Sequence, residues 1–340
     1  MSVAIQENLS QLSDLAVEGA MAGYLVALVC HAVESATRRA PREPATAAGT
    51  LTAAAASSGA AGGVGVLTRP AYGPGAPVAG GSRRVPMGER FGRAAVAVTL
   101  VGFACHVLAL VARGFAAHRP PWGNMYEFTL MITGAAVAAW LVVLWRTRAR
   151  AMGVYVMMPI TVLVFLAGTV LYTQAAPLLP VLNSYWLVIH VAAVSLTSGV
   201  LMLSGVASAV YLVRDRRERR VAAGLIDPDE TPTRLPSLDK LDRIAYRSAI
   251  AAFPFYTFAI IAGALWAEVS WGSYWSWDPK ETVALVTWII YAGYLHARAT
   301  AGWRGRPAAW ISVVGLASII FNLFFVNMVI SGLHSYAGLN

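Results

Sequence analysis

Charge is scarce in this 340-residue sequence: 13% of its residues are charged, against 57% hydrophobic, and the mean hydropathy is +0.59. Such poverty of charge excludes an ordinary water-soluble domain, in which about a quarter of the residues are charged. Cysteine is almost missing as well. Only Cys30 and Cys105 occur, far apart, with no C-x-x-C or C-x-x-C-H pattern. A disulfide framework and thiol chemistry are excluded on that count. Cys105-His106 has the look of a metal pair, but a small thiol beside a helix histidine is ordinarily packing.

What the sequence has instead is long apolar runs. A spanning helix needs ~20 apolar residues, because a ~30 Å hydrocarbon layer is crossed at ~1.5 Å per residue. Stretches at 15–33, 92–113, 126–145, 153–172, 185–213, 248–270, 281–300 and 308–331 qualify. They predict an all-α membrane protein, a polytopic bundle of about eight transmembrane helices solvated by lipid. The first run contains Glu18 and ends without an A-x-A site, so it reads as a retained helix rather than a cleaved signal.

A net charge of +9 raises the question of nucleic acid. Its distribution answers otherwise, because the basic residues occupy alternate connections. All of the 26 Lys and Arg residues except Arg113, Arg119 and Lys280 fall in one alternating set. Under the positive-inside rule that set is cytoplasmic and both termini are extracytoplasmic. The basic excess is a topology signal for a cell membrane, with no nucleic acid partner implied.

Residues 34–91 are dominated by Ala, Gly, Pro, Ser and Thr, with too few large apolar side chains to offset the entropy of ordering. They are expected to form a disordered cytoplasmic linker between an N-terminal helix, 1–33, and a seven-helix body, 92–340. Residues 214–247 are expected to be a solvated loop. No internal repeat is evident.

The densest chemistry lies in the outer segment 266–282, where Trp266 precedes the run WGSYWSWDPKET. One or two Trp would be an interfacial belt. Trp271, Tyr274, Trp275 and Trp277 within seven residues, spaced by Gly272, exceed a belt and offer the flat surfaces that hold a planar macrocycle. Were this stretch helical, Trp271 and Trp275 would share a face. Asp278, Pro279 and Glu281 form a helix-start signal, with Asp278 as N-cap, Pro at the first helical position and Glu completing a capping box. Capping alone accounts for Asp278 as well as a ligand contact does.

Histidine inside a membrane is costly and marks function by default. His334 follows the outer end of the last span. His190 lies ~10 Å along its helix from Asn183, near the same level. Two imidazoles there can clamp one iron from opposite faces, which makes a bis-histidine haem site. His296 is ~25 Å down its helix from Pro279, too far to share that iron. It is either a second haem station or a structural histidine beside Arg298. His31, His106 and His118 carry weaker signals, and Glu127 suits the positive end of its helix.

Four ordered motifs, SYWLVIH (184–190), WGSYWSWDPKET (271–282), TWIIYAGYLHAR (287–298) and GLHSY (332–336), together resemble the CcsA/ResC-type cytochrome c biogenesis proteins. These are the WWD-domain haem-handling proteins of System II, and the likeness runs from about residue 95 to 340. NMYEF (124–128) resembles a further segment of that family. The resemblance implies that His190 and His334 are axial ligands of a haem b at the outer surface, beside Trp271, Gly272, Trp275, Trp277 and Asp278. It implies that His296 serves an inner haem site shared with a ResB/CcsB-type membrane partner, and that apocytochrome c is the acceptor of the haem. Two other functions stay open at this point: a haem exporter that only delivers, and a structural scaffold whose Trp are belt anchors.

Overall fold

The computed structural model describes residues 6–37, 86–178, 180–227, 233–300 and 302–334. Among these every long element is an α-helix: α1 (Glu7–Thr37), α2 (Met87–Ala116), α3 (Met125–Thr147), α4 (Gly153–Thr169), α5 (Tyr185–Ala222), α6 (Leu238–Trp271), α7 (Pro279–Thr300), α8 (Arg306–Leu323) and the short α9 (Phe325–Val329). Seven units are long and apolar enough to cross a membrane: α1, α2, α3, residues 150–169 with α4, α5, α6, and residues 306–329 with α8 and α9. The eighth apolar stretch is also helical, as the 22-residue α7, but Tyr291, Tyr294, His296 and Arg298 dilute its hydropathy. The chain is a multi-pass membrane protein.

Helix ends run past the apolar stretches wherever polar side chains satisfy one another. The loop expected at 214–247 is the clearest correction, since α5 continues to Ala222 and α6 begins at Leu238. Arg214–Glu218 and Arg219–Asp215 pairs, four residues apart, line the α5 extension. The Ser237 side chain caps the start of α6, and Asp242 in its second turn is gripped by Arg298 of α7 at 2.5 Å and 2.8 Å.

The expected division into 1–33, 34–91 and 92–340 also changes. Residues 34–37 complete α1, and 87–91 begin α2. The disorder expected in between falls on 38–85, outside the described residues. Helix α1 is not set apart from the body, because it packs along α2 and α4. Small side chains bring it there: a Cβ placed on Gly23 would stand 3.0 Å from the Gly102 backbone, and Ala16, Ala20, Ala27, Ala95 and Ala109 are buried. In lipid, where no hydrophobic drive separates helix from solvent, such close backbone approach is what holds helices together.

Helix α5 is the axis of the body and touches α3, α6 and α8. Gly199 lets it meet the α3 backbone at Ile132 and Ala136, and Gly205 admits Leu316 of α8. This arrangement collects the starts of α3, α5 and α7 with the ends of α6 and α9 around one cavity.

Candidate functional site

The site begins with how α6 stops and α7 starts. Gly272 takes the left-handed conformation (φ 71°) and its N–H closes on Glu268 O at 2.9 Å, ending α6 at Trp271. The chain is therefore not helical between Trp271 and Trp275, and the shared helical face foreseen for them does not form. Trp277 also holds a positive φ of 60°, a costly conformation for a bulky residue. The turn is then fixed by the expected capping box. The Glu281 side chain accepts from Asp278 N (3.2 Å) and from Ser276 N (3.0 Å), while Asp278 Oδ1 accepts from Lys280 N (3.0 Å).

Asp278 does more than cap. Only 6% exposed, it also accepts from Leu333 N through Oδ2 (2.6 Å) and from His334 Nδ1 through Oδ1 (2.8 Å). Burial works against its charge, but the hydrogen bonds from His334 and from the Lys280 and Leu333 backbones outweigh it and hold the carboxyl below its usual range. Gly332 is what lets the carboxylate in, since a Cβ there would collide with Oδ2.

His190 is held in the same manner by a different oxygen. Its Nδ1 donates to Ala259 O of α6 at 2.7 Å. A carbonyl and a carboxylate only accept, so in both histidines Nδ1 carries a proton, and in the neutral ring that leaves the lone pair on Nε2. A metal-ligating histidine is prepared in just this way, by giving its other N–H to a carbonyl or carboxylate. Gly263 makes room for the His190 ring, because a Cβ there would stand 2.6 Å from Cε1.

Trp266, 1% exposed, joins the two imidazoles. Its ring lies 6.2 Å from His190, nearly parallel at 18°, and 5.9 Å from His334, tilted at 66°. Trp271 is 4.7 Å from Trp266 and 5.2 Å from His334. All four rings line a cavity of about 160 Å³, against the ~10–15 Å³ that one water needs. Trp275 and Tyr274 line it too. Trp277 does not; it is 70% exposed and stands edge-on to Trp275 at 5.8 Å. Gly272 and Asp278 sit behind the wall as helix stop and histidine support.

The remaining histidines separate cleanly. His296 is exposed near the far end of α7 and is not brought to the cavity. His106 is fully buried with both nitrogens engaged, Nε2 donating to Leu130 O (2.9 Å) and Nδ1 accepting from Tyr24 OH (3.1 Å). His31 is buried against Glu34, Nδ1 to Oε2 3.3 Å, and His118 meets Gln6 at the surface. Among the described residues no cluster of three His, Cys, Asp or Glu residues could hold a bare metal ion.

Glu127 is the third residue of α3 and binds more than a helix end. Fully buried, it accepts from Arg113 Nε (3.0 Å), Arg119 Nη1 (2.7 Å) and Gly123 N (2.7 Å). It thereby anchors the loop that carries Trp122 into the cavity wall. Trp266, Gly263, Trp122 and Lys280 were not foreseen as site residues. Trp266 and Lys280 at least fall inside the segment 266–282 that the sequence singles out.

Residues 122–334, which hold the whole cavity, match the family model of the cytochrome C assembly protein. The chain belongs to the cytochrome c assembly protein family. The cytochrome c biogenesis protein CcsA of Gloeobacter violaceus is 33% identical over 76% of the chain and 89% of its own length. CcsA of Pyropia yezoensis is 32% identical over 73% and 88% respectively. The family fold is shared with the solved structure of the cytochrome c haem lyase CcmF, at a TM-score of 0.59 and 16% identity. That match covers 95% of this chain and 47% of CcmF, so the chain spans about half the length of that protein. Membership of the family places the chain in cytochrome c maturation, where haem is handled as cargo.

Proposed function

We propose that the cavity between α5, α6 and α7 holds haem b at the extracytoplasmic face of the cell membrane, with His190 and His334 as axial ligands, for attachment to apocytochrome c. The observation that carries this reading is the shared preparation of the two imidazoles. Each donates Nδ1–H to a fixed oxygen, and each packs on the Trp266 ring. The donor set suits iron in a porphyrin, which supplies four equatorial nitrogens and leaves two axial positions for imidazoles. Trp271 and Trp275 supply aromatic surface for the macrocycle. Outward sidedness rests on the charge asymmetry: the basic residues crowd the opposite helix ends.

Attachment adds two cysteine thiols of apocytochrome c across the two vinyl groups of haem. Each S–C bond formed is matched by a proton placed on the neighbouring carbon. The protein's part is orientation and exclusion of competing reactions. His296, exposed on the far part of α7, serves as an inner haem ligand completed by a ResB/CcsB-type membrane partner.

The test is co-expression of the chain, that partner and an apocytochrome c, with covalent haem followed by haem staining of a denaturing gel. Holocytochrome must form with the native chain and fail with His190→Ala and His334→Ala. Undiminished product in both variants would overturn the reading, and release of free haem without product would mark an exporter instead.

A further inference from the structure

Among the described residues Lys280 has no carboxylate in salt-bridge contact. Its side chain lines the cavity, and Nζ donates to Asn327 Oδ1 at 2.6 Å, with the Phe128 ring centre 5.7 Å away. Asn327 is pinned in that orientation, because its Nδ2 is engaged by Asn322 O (3.0 Å) and Leu323 O (2.7 Å). The adjacent acid, Glu281, also lines the cavity but is turned to Ser276 and the Asp278 N–H, and Asp278, two residues back, is occupied by His334, the Leu333 N–H and the backbone, not the side chain, of Lys280. Asp215, Glu218 and Asp242, at the far ends of the helices, are paired with arginines. A partly buried ammonium held by one neutral amide is electrostatically incomplete, since taking a charge from water costs several kcal/mol unless an opposite charge replaces the water.

A second donor faces the same space. The indole N–H of Trp122 is buried, lines the cavity and has no hydrogen-bond partner among the described residues. Phe128 and Trp122 pack against the same apolar cluster, and Phe128 also lies under the Lys280 ammonium. The rest of the wall is mostly apolar or aromatic. A ligand that suits it is largely flat and apolar, but carries an anionic arm with oxygen acceptors.

We infer that Lys280, oriented by Asn327 and assisted by Trp122, is the counter-charge for a carboxylate of the cavity's occupant. On the haem reading above, on which this inference rests, that carboxylate is a propionate. The contact would fix which way round the porphyrin lies between the imidazoles, and so which edge presents the vinyl groups.

The experiment uses the purified chain in detergent, stripped of haem and titrated with haem and with haem dimethyl ester, whose propionates are neutral. The axial-ligand absorbance reports binding. The native chain should bind haem at least tenfold more tightly than the ester. Lys280→Met should lose that preference while still binding the ester as the native chain does, and Lys280→Arg should keep most of it. Equal affinity of the native chain for haem and ester would overturn the inference and leave the haem site standing. A preference undiminished in Lys280→Met would also overturn it. Binding of neither compound by the native chain would bring down the haem reading itself. The comparison on the native chain needs no variant to fold.

Discussion

His106, fully buried in α2, and His190, half-buried in the second turn of α5, each donate one ring N–H to a backbone carbonyl of a neighbouring helix. They differ in the other nitrogen. In His106 it accepts from Tyr24 OH, and the ring becomes a closed cross-brace between α1, α2 and α3. In His190 it carries a lone pair at the wall of a cavity, beside Trp266. Burial alone does not make a histidine functional; the partner of its second nitrogen decides whether it is a brace or a ligand.

The comparison breaks most visibly on removal of the rings. His190→Ala or His334→Ala is expected to abolish stable haem retention during purification and leave the helices intact by circular dichroism. His106→Ala should do the reverse. It leaves the buried Tyr24 hydroxyl without its partner, while Leu130 O keeps the Thr133 hydroxyl, at a cost of about 1–3 kcal/mol, lowering Tm without changing the haem spectrum. Equal haem loss in all three variants would erase the distinction.

Support for the rings comes next. Asp278→Asn keeps the size of the side chain but removes the charge that orients His334. Partners of this kind typically account for 10–100-fold in affinity, and a drop of that order is expected in haem titration. The lowered Asp278 carboxyl gives this effect a pH signature. A depressed acid contributes at neutral pH and loses its contribution as pH falls through the folded value, below the ordinary ~3.9. Haem release on acidification should therefore have a limb in that range for the native chain that is absent in Asp278→Asn.

Gly263→Ala gives the smallest effect and separates stability from function. In an ordinary helix the change stabilises by roughly 0.5–1 kcal/mol. Here the new methyl meets the His190 ring. A few-fold weaker haem affinity, with the helical gain in Tm cancelled by that clash, is expected from titration and thermal melts on the same preparation.

The helices were legible because lipid demands long apolar runs, and every run read from the sequence is helical. Their ends were not, because Arg214, Arg219 and Ser237 satisfy polar helix termini locally and carry α5 and α6 beyond the apolar stretch. The docking of α1 was missed, although Gly19 and Gly23 sit four apart facing Cys105 and Gly102, a small-residue pattern that marks close helix approach. In the site, helical rise from Asn183 put His190 at the level of His334, which follows the outer end of the last span, and rise from Pro279 kept His296 away. Depth along a helix is a one-dimensional quantity that sequence carries. Which oxygen holds a ring, which glycine admits it and which indole packs on both imidazoles are three-dimensional facts, and the roles of Gly263, Gly332 and Trp266 emerge only once the helices are packed.

Electron paramagnetic resonance of the oxidised, haem-loaded chain most directly tests the claim that His190 and His334 ligate one iron through Nε2. The account predicts a low-spin bis-imidazole signal that is lost in each of His190→Ala and His334→Ala, returns when imidazole is added to either variant, and persists in His106→Ala. A signal unchanged by both ring deletions would contradict it.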